Sequence, residues 1–321
     1  MKRGFYTIMS AQFFSSLADN ALFVAAVELL RTSGAPEWQR AALVPMFALF
    51  YVVLAPFVGA FADALPKGRV MFFSNAIKIV GCLMMLFGSH PLIAYAVVGL
   101  GAAAYSPAKY GILTELLPAS QLVKANGWIE GLTIASIILG VLLGGQLVGH
   151  HLSAALLSID IPMIDFGIHT AAEAAIAALI LVYALAAWFN TRIPHTGVEM
   201  RPLRQHPQRS ILASTLALLP DFWACNSRLW HDKLGQISLS TTTLFWGAGG
   251  NLKFIVLAWA GVALGYNTTQ ASALTGVVAI GTAVGAVAAS MRMRLDMATR
   301  VIPLGIAMGP PLIPTAFTSN I

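Results

Sequence analysis

The stretch Gly59-Ala-Phe-Ala-Asp63-Ala-Leu-Pro-Lys67-Gly68-Arg69 separates two long apolar runs, at residues 41–63 and 70–89. A helix needs about 20 mostly apolar residues to cross the hydrocarbon of a bilayer, so each run is long enough to span a membrane. The stretch between them combines a carboxylate, two cations, a proline and two glycines. This composition predicts a short loop at a membrane surface between two membrane-crossing helices.

The same apolar pattern extends in both directions along the chain. The sequence is 58% hydrophobic and 10% charged, whereas charged residues make up about 25% of typical soluble domains. Ten-residue segments of alternating polarity, the pattern of membrane β-barrels, are absent from the sequence. The fold class is therefore an all-α membrane protein. Nine candidate spans lie at about 5–29, 41–63, 70–89, 91–113, 126–149, 171–190, 238–260, 271–291 and 299–317.

The positive charges are sorted to one side of these spans. Of the 19 Lys and Arg residues, all but Arg31, Arg40, Lys78 and Lys253 fall at the N-terminus or in loops on a single side. Because cytoplasmic loops collect Lys and Arg, we expect a multi-pass protein of a bacterial inner membrane with a cytoplasmic N-terminus. The net charge of +6 then indicates orientation and does not indicate nucleic-acid binding.

The first span follows a short basic start, as the apolar part of a signal peptide would. It carries Asp19, Asn20 and Glu28 and lacks a convincing small-residue cleavage site, so we interpret it as a retained first helix. The two cysteines, Cys82 and Cys225, are too few for a disulfide framework. We expect both to be reduced.

A weak internal repeat relates the first span to the seventh. Phe14 and Asn20 have the same spacing as Phe245 and Asn251, and each pair lies near the middle of its span. Parallel repeats of this kind occur in transporters built from two similar bundles.

The arrangement of spans predicts two bundles joined by a linker. Six spans precede a stretch rich in Pro, Arg and His, and three follow it. We therefore expect an N-terminal six-helix bundle at 1–190, a cytoplasmic linker at 191–237 and an incomplete C-terminal bundle at 238–321. Because three helices follow where six are expected, we expect a fragment or a prematurely ended form of a longer protein.

Asp19 is the most costly residue of the sequence, since it lies near the middle of the first span. A carboxylate at mid-membrane costs about 2.5–3.5 kcal/mol on insertion scales, so such residues are functional candidates by default. Lys253 lies at a similar depth in the seventh span. We predict an Asp19–Lys253 charge pair that breaks and re-forms as a central cavity changes access. The alternative is a static ion pair that only locks two bundles together.

Other polar residues within the spans are expected to line the same cavity. Lys78 and Glu130 each have an asparagine one turn away on their own helix face. Two alternatives stay open. Lys78 could extend along its helix to the inner surface, and Glu130 could pair with Lys124 or Arg69. The predicted translocation site comprises Asp19, Asn20, Lys78, Glu130, Asn251 and Lys253.

The stretch at residues 59–69 is a candidate gate. Gly59 would let neighbouring helices approach closely, and Gly68 would permit a tight turn. Asp63 would pair with a helix end or with Arg69. The alternative is an ordinary loop on the positive side, which accounts for the two cations but not for the Gly-x-x-x-Asp spacing.

The stretch Tyr105-Ser-Pro107-Ala-Lys109-Tyr110-Gly111 follows a run of small residues. Pro107 frees a backbone carbonyl that neighbours or water must satisfy. The pattern indicates either a bend at the gate or tight helix packing. The predicted gating residues are Gly59, Asp63, Lys67, Gly68, Arg69 and Lys109.

Several of these stretches resemble a known family. They include Ala18-Asp19-Asn20-Ala21-Leu22, Leu122-Val-Lys124-Ala-Asn126-Gly and Leu244-Phe-Trp246-Gly-Ala-Gly, together with the loop at 67–71 and the stretch at 101–113. They are similar to the lysophospholipid transporter family of Gram-negative inner membranes, a branch of the major facilitator superfamily. The resemblance covers most of residues 7–290. It implies a two-bundle fold of twelve helices, of which about nine are present.

The resemblance also implies an activity. Members of the family flip lysophosphatidylethanolamine and lysophosphatidylglycerol from the outer to the inner leaflet, where a separate acyltransferase/acyl-carrier-protein synthetase re-esterifies them. Asp19 and Asn20 match the family's acidic pair in the first helix, Lys253 matches a basic position, and the loop at 59–69 matches an inner gate latch. The chain departs from the family in its long linker at 191–237 and in its missing last three helices.

Two other functions stay open. The chain could carry another small amphipathic molecule, driven by protons through Asp19, or it could be a truncated membrane protein that transports nothing. No Ser/His/Asp order or Gly-rich phosphate loop is found in the sequence. We therefore expect no enzyme, no cofactor and no bound metal, with lysophospholipid and membrane lipids as the ligands.

Overall fold

The computed structural model describes residues 3–158, 168–201 and 211–265, and it describes 277–313 apart from 279, 283, 286, 290, 294–299, 301, 308, 311 and 312. All regular structure in these residues is helical. The helices are α1 (Arg3–Thr32), α2 (Glu37–Val53), α3 (Ala55–Ala64), α4 (Lys67–Leu86), α5 (Pro91–Leu116), α6 (Ala119–Val148), α7 (His150–Leu157), α8 (Ala171–Thr191), α9 (Ile211–Leu216), α10 (Leu218–His231) and α11 (Lys233–Ala263), followed by a short helix, Ile302–Ile306.

Five of the described helices are long and apolar enough to cross a membrane, namely most of α1, and α4, α5, α6 and α8. The bent pair α2 and α3 makes a sixth span if the two count as one. These six match the predicted runs from 5–29 to 171–190. Helix α11 covers the predicted run at 238–260. The predicted runs at 271–291 and 299–317 include residues outside the described ranges, so the count of nine stays a prediction.

The second predicted span is not a single straight helix. We predicted one helix over 41–63, but the chain bends by 66° between α2 and α3. Leu54 at the junction leaves helical geometry (φ −97°, ψ 1°) and Pro56 stands in the first turn of α3. Proline has no N–H to donate the next helical hydrogen bond of α2, and its ring crowds the preceding turn. Pro56 therefore accounts for the bend.

The turn between α4 and α5 shows why these spans end where they do. Gly88 has φ +78°, which residues with a Cβ adopt only at a cost. Its N–H donates to the carbonyl of Met85, and the N–H of Ser89 donates to the carbonyl of Met84. These bonds satisfy carbonyls at the end of α4, and Pro91 then begins α5.

The chain divides into two compact units. The first comprises Met1–Pro118 and Leu132–Leu219, and the second comprises Ala119–Gly131 and Pro220–Ile321. Within the first unit α4 packs against α5 and α8, α1 packs against α8, and α2 packs against α5. The core contains many small residues, so these helices approach closely. The predicted division at residues 190 and 238 stays a prediction.

Helix α1 contacts the second half of α6 at two glycines. A Cβ at Gly140 would lie 2.6 Å from the carbonyl oxygen of Leu17, and a Cβ at Gly144 would lie 2.7 Å from that of Ala21. The spacing is the Gly-x-x-x-Gly pattern of close membrane-helix contacts. We did not predict this contact from the sequence.

Candidate functional site

The helices of the first unit bring together a set of polar side chains deep within it. α1 contributes Ser15 and Asp19, α4 contributes Asn75 and Lys78, and α8 contributes Tyr183. We call these five residues the buried charge cluster. They meet because α8 packs against both α1 and α4.

An ion pair lies at the centre of the buried charge cluster. The Lys78 Nζ donates to Asp19 Oδ2 at 2.8 Å and to Ser15 Oγ at 2.9 Å. The other carboxylate oxygen, Asp19 Oδ1, accepts a hydrogen bond of 2.7 Å from the Tyr183 hydroxyl. Both oxygens of Asp19 therefore have a donor. Lys78 is 1% exposed, which excludes the alternative that its side chain extends to the surface.

The polar network continues beyond the ion pair and ends in two unsatisfied groups. Ser15 Oγ donates to Asn75 Oδ1 at 2.7 Å. The Nδ2 of Asn75 and the hydroxyl of Tyr105 are buried and have no hydrogen-bond partner among the described residues. An unsatisfied buried polar group costs about 1–3 kcal/mol. Two such groups beside the ion pair are consistent with a site that completes its hydrogen bonds only when a ligand is present.

Aromatic rings flank the ammonium group. The Lys78 Nζ lies 5.2 Å from the centroid of the Tyr105 ring and 5.5 Å from that of Tyr183. Cations within about 6 Å of a ring face are attracted to its π electrons. The rings therefore help to stabilise the buried cation.

The Asp19–Lys253 pair stays a prediction. The side chains of Asn251 and Lys253 lie outside the described ones, although their backbone belongs to α11. Asp19 is instead paired with Lys78, a partner that we had not assigned to it. Asn20 Nδ2 donates to the Ser16 carbonyl at 2.8 Å, so this amide bonds to its own helix. Glu130 belongs to the second compact unit, and its part in the site also stays a prediction.

Sequence reasoning missed three residues of this site: Ser15, Tyr105 and Tyr183. Ser15 lies four residues before Asp19, and therefore on the same helix face. Tyr183 lies mid-span, whereas tyrosines of membrane helices favour the interfaces. Both features were visible in the sequence, but neither specifies a partner on another helix.

A second ion cluster lies at the end of the first unit that carries residues 63–69. The Lys67 Nζ donates to Asp63 Oδ1 at 2.5 Å and to the Ala62 carbonyl at 2.8 Å, and it lies 3.7 Å from Glu115 Oε1. We call Asp63, Lys67 and Glu115 the end cluster. We predicted that Asp63 pairs with a helix end or with Arg69; its cationic partner is Lys67, the first residue of α4, whose side chain extends back toward α3.

The glycines of this loop act differently from our predictions. No described atom lies within 4 Å of a Cβ placed on Gly59, so this glycine is not needed for a close helix contact. Gly68 lies in the first turn of α4, and the bend before it is made by Leu65 and Pro66. A Cβ on Gly68 would lie 2.9 Å from the Asn190 carbonyl oxygen. Gly68 therefore permits the start of α4 to contact the end of α8.

Lys109, the last predicted gating residue, lies within α5. It is buried, and its Nζ is 4.4 Å from the centroid of the Tyr110 ring. Helix α5 continues through Pro107, with Tyr105 and Ala108 buried on either side. Both interpretations of this stretch, a bend at the gate and tight packing, stay predictions.

Comparison with known proteins identifies the family of this chain. Residues 8–321 match the family described as Major Facilitator Superfamily. The chain is 39% identical over 310 residues to the lysophospholipid transporter LplT of Yersinia enterocolitica serotype O:8 / biotype 1B, a match that covers 96% of this chain and 70% of the relative. Proteins of the same name from Yersinia pestis (strain Pestoides F) and Yersinia pseudotuberculosis serotype O:3 (strain YPIII) have the same identity and coverage.

Proposed function

The chain belongs to the lysophospholipid transporter branch of the major facilitator superfamily, and we propose that it moves lysophospholipids across a bacterial inner membrane. Two findings support this proposal. The relatives are named lysophospholipid transporters, and the first unit contains an ion pair within reach of unsatisfied polar groups. The ion pair is the observation on which the proposal depends.

The chemistry of the cargo matches the buried charge cluster. The headgroup of lysophosphatidylethanolamine has one phosphate anion and one ammonium cation. Lys78 would pair with the phosphate and Asp19 with the ammonium, so the cargo would replace each residue's present partner with an equivalent charge. A buried charge left without a partner is strongly unfavourable. We therefore propose that the ion pair opens only when the headgroup is present to replace it.

The unsatisfied groups would then complete the headgroup site. Asn75 Nδ2 and the Tyr105 hydroxyl can both donate to a phosphate oxygen, and both belong to helices that carry the site. Hydrogen bonds to a charged group contribute about 1.5–3 kcal/mol. The single acyl chain would lie against apolar side chains or lipid, which need no polar partner.

The finer features of the function remain part of the proposal. Transport would run from the outer to the inner leaflet, and a separate acyltransferase/acyl-carrier-protein synthetase would re-esterify the product. The N-terminus would be cytoplasmic, since the Lys and Arg residues concentrate on its side. Lys253 and Asn251 of α11 would join the site when two bundles move against each other around it.

A leaflet assay with the purified chain tests the proposal. The chain is reconstituted into liposomes that carry labelled lysophosphatidylethanolamine in the outer leaflet, and the label that albumin no longer extracts is measured over time. We expect the label that albumin cannot extract to increase with time for the wild-type chain. The rate of this increase should be at least about 100-fold lower in Asp19→Asn and in Lys78→Met, because transport needs both charges. Arg31→Gln is the matched control, since it removes an exposed ion pair with Glu28 on the same helix.

Two results would contradict the proposed function. In the first, the wild-type chain inserts into liposomes but protects no label. In the second, Asp19→Asn and Lys78→Met both transport at the wild-type rate. Insertion is checked independently by resistance of the chain to extraction at high pH.

A further inference from the structure

The predicted cytoplasmic linker at 191–237 contains a helix that leaves its large apolar side chains uncovered. Helix α10 (Leu218–His231) has no buried residue within the part of the chain that the structure describes. Its two tryptophans, Trp223 and Trp230, are 66% and 50% exposed, and Leu229 is 46% exposed. Apolar surface of this size is unfavourable in water. The helix therefore presents a surface that needs a partner.

The apolar residues of α10 lie on one side of the helix. At 3.6 residues per turn, an arc of about 140° holds Leu218, Leu219, Phe222, Trp223, Leu229 and Trp230, with the polar Asn226 among them. We call these six apolar residues the apolar face of α10. The polar residues of the opposite side are Asp221, Ser227, Arg228 and His231. A helix with one side rich in Trp, Phe and Leu and one polar side is typical of helices that lie on a membrane surface.

The charges of α10 show which force would hold it there. Asp221 and Arg228 cancel each other on the polar side, and Asp232 and Lys233 cancel each other just after the helix. Polybasic segments bind anionic lipids through their charge, but this helix has no net charge to contribute apart from His231. Binding to a membrane would therefore come from the apolar face.

The junction with the next helix attaches α10 firmly to α11. One residue, Asp232, separates the two helices, and its backbone is extended (φ −83°, ψ 127°), so they do not form one straight helix. Asp232 Oδ2 accepts a hydrogen bond of 2.7 Å from the Gly235 N–H. Gln236 Nε2 donates to the Trp230 carbonyl at 2.6 Å. The end of α10 is thus held at the start of α11.

This junction lies close to the predicted membrane surface. Helix α11 covers the predicted span at 238–260, and its residues before that span, 233–237, rise about 7.5 Å. The headgroup layer on each side of the hydrocarbon is about 5–8 Å thick. Tryptophan is enriched at this depth in membrane proteins. The short distance from the span and the two tryptophans both indicate lipid as the partner of the apolar face.

We propose that the apolar face of α10 binds the cytoplasmic surface of the membrane, with the helix parallel to the bilayer and its tryptophans among the lipid headgroups. The partner is lipid of the same membrane that α11 crosses. The linker between the two predicted bundles is then attached to the membrane beside the seventh predicted span.

Spin labels on the two sides of α10 test this binding in the full chain. Leu229→Cys labels the apolar face and Ala224→Cys labels the opposite side, each combined with Cys225→Ser. The other cysteine, Cys82, is fully buried and stays in place. The chain is reconstituted into vesicles of phosphatidylethanolamine and phosphatidylglycerol. The collision rate of each label is measured with oxygen, which concentrates in hydrocarbon, and with a water-soluble nickel chelate.

We expect the label at position 229 to collide mainly with oxygen and the label at position 224 mainly with the nickel chelate. Replacing phosphatidylglycerol with phosphatidylcholine should preserve this difference, because the apolar face and not charge provides the binding. The proposal is overturned if the difference disappears without anionic lipid, or if the nickel chelate reaches both positions equally. It is also overturned if neither reagent reaches position 229, since protein would then cover the face.

The double variant Trp223→Ser with Trp230→Ser provides a second test. It removes the two largest side chains of the apolar face, so the label at position 229 should lose its preference for oxygen. Trp38→Ser is the matched control, because it removes a tryptophan of α2 that is 63% exposed, and it should leave the label unchanged. An effect of the double variant no larger than that of Trp38→Ser would overturn the proposal. Transport is not measured, so either result leaves the proposed function to its own assay.

Discussion

Lys78 in the buried charge cluster and Lys67 in the end cluster have similar partners but different surroundings. Each lysine side chain is almost inaccessible, at 2% and 7% exposed, and each is paired with an aspartate. The aspartates differ, because the side chain of Asp19 is 19% exposed and that of Asp63 is 57% exposed. If the end cluster opens, water can solvate Asp63. If the buried charge cluster opens, another charged group must replace the lost partner.

This difference separates two roles for an ion pair in a membrane protein. An ion pair whose charges are hydrated when it separates can open at little energetic cost. Such a pair suits a contact that forms and breaks repeatedly. A pair whose two side chains are both mostly buried is costly to open without a ligand of matching charges, because an unpaired buried charge is strongly unfavourable. The depth of the aspartate therefore bears on which cluster meets the cargo.

The largest expected effect comes from removing each lysine in turn. Lys78→Met should lower the free energy of unfolding by about 3–5 kcal/mol, because it leaves Asp19 without its cation. Lys67→Met should cost less, since Asp63 can be solvated and Glu115, which is 17% exposed, keeps its hydrogen bond from Thr196. Denaturant unfolding in detergent micelles measures both. Equal losses of stability in the two single variants would show that the surroundings of the aspartates do not matter. The double variant Asp19→Asn with Lys78→Met should recover most of the stability lost in Lys78→Met.

The two tyrosines beside Lys78 sharpen the comparison within the buried charge cluster. Tyr183→Phe removes a hydrogen bond to the Asp19 carboxylate and should cost about 1.5–3 kcal/mol of stability. Tyr105→Phe removes a hydroxyl without a partner among the described residues, so stability should be unchanged or slightly higher. If Tyr105 contacts the cargo, its variant loses transport at full stability. A stability loss at Tyr105 as large as that at Tyr183 would contradict the assigned network.

Glycines near the two clusters give a comparison that involves no charge. A Cβ at Gly101 would lie 2.5 Å from the Ser74 carbonyl oxygen and 2.7 Å from Lys78 Cγ, so Gly101→Ala should force α4 and α5 apart and cost about 1–3 kcal/mol. Gly59→Ala meets open space and should be neutral or gain up to about 1 kcal/mol as a better helix former. Thermal unfolding of the two variants measures the difference in their stability. If the α4–α5 contact were not formed, Gly101→Ala would no longer be the less stable variant.

The smallest expected effect of removing a charge is at the exposed aspartate of the end cluster. Asp63→Asn should cost no more than about 1 kcal/mol, and added salt should reduce the difference from the wild type because exposed charges are screened. Asp19→Asn should show no comparable salt dependence. Unfolding at low and high ionic strength provides the measurement. A salt effect of equal size at both positions would contradict the difference in environment inferred from the exposure of the two aspartates.

The fold was largely predictable because membrane spans depend on length and composition. The six runs of the first half became helices with ends close to the predicted ones, and the transporter family was identified from short stretches such as Ala18-Asp19-Asn20. The bend at Leu54 was not predicted, although Pro56 signals it. A proline within an apolar run can either interrupt a helix or begin a new one. Tertiary packing decides which of the two occurs.

The candidate site was less predictable, since sequence gives the depth of a charge but not its partner. Asp19 and Lys78 were both identified as site residues, yet Asp19 was assigned to Lys253 because the two lie at similar depth. Lys78 also lies deep enough in its span to reach Asp19, and the packing of α8 against both α1 and α4 brings these residues together. The partner of Asp63 was missed for a related reason, since the bend before α4 directs Lys67 back over α3.

The contact of α1 with α6 at Gly140 and Gly144 restricts how a lipid could leave the protein. Backbone rests on backbone there, which leaves no width for a hydrocarbon tail to slide sideways between the two helices. The acyl chain of a lysolipid held at Asp19 and Lys78 would therefore have to leave the protein between another pair of helices.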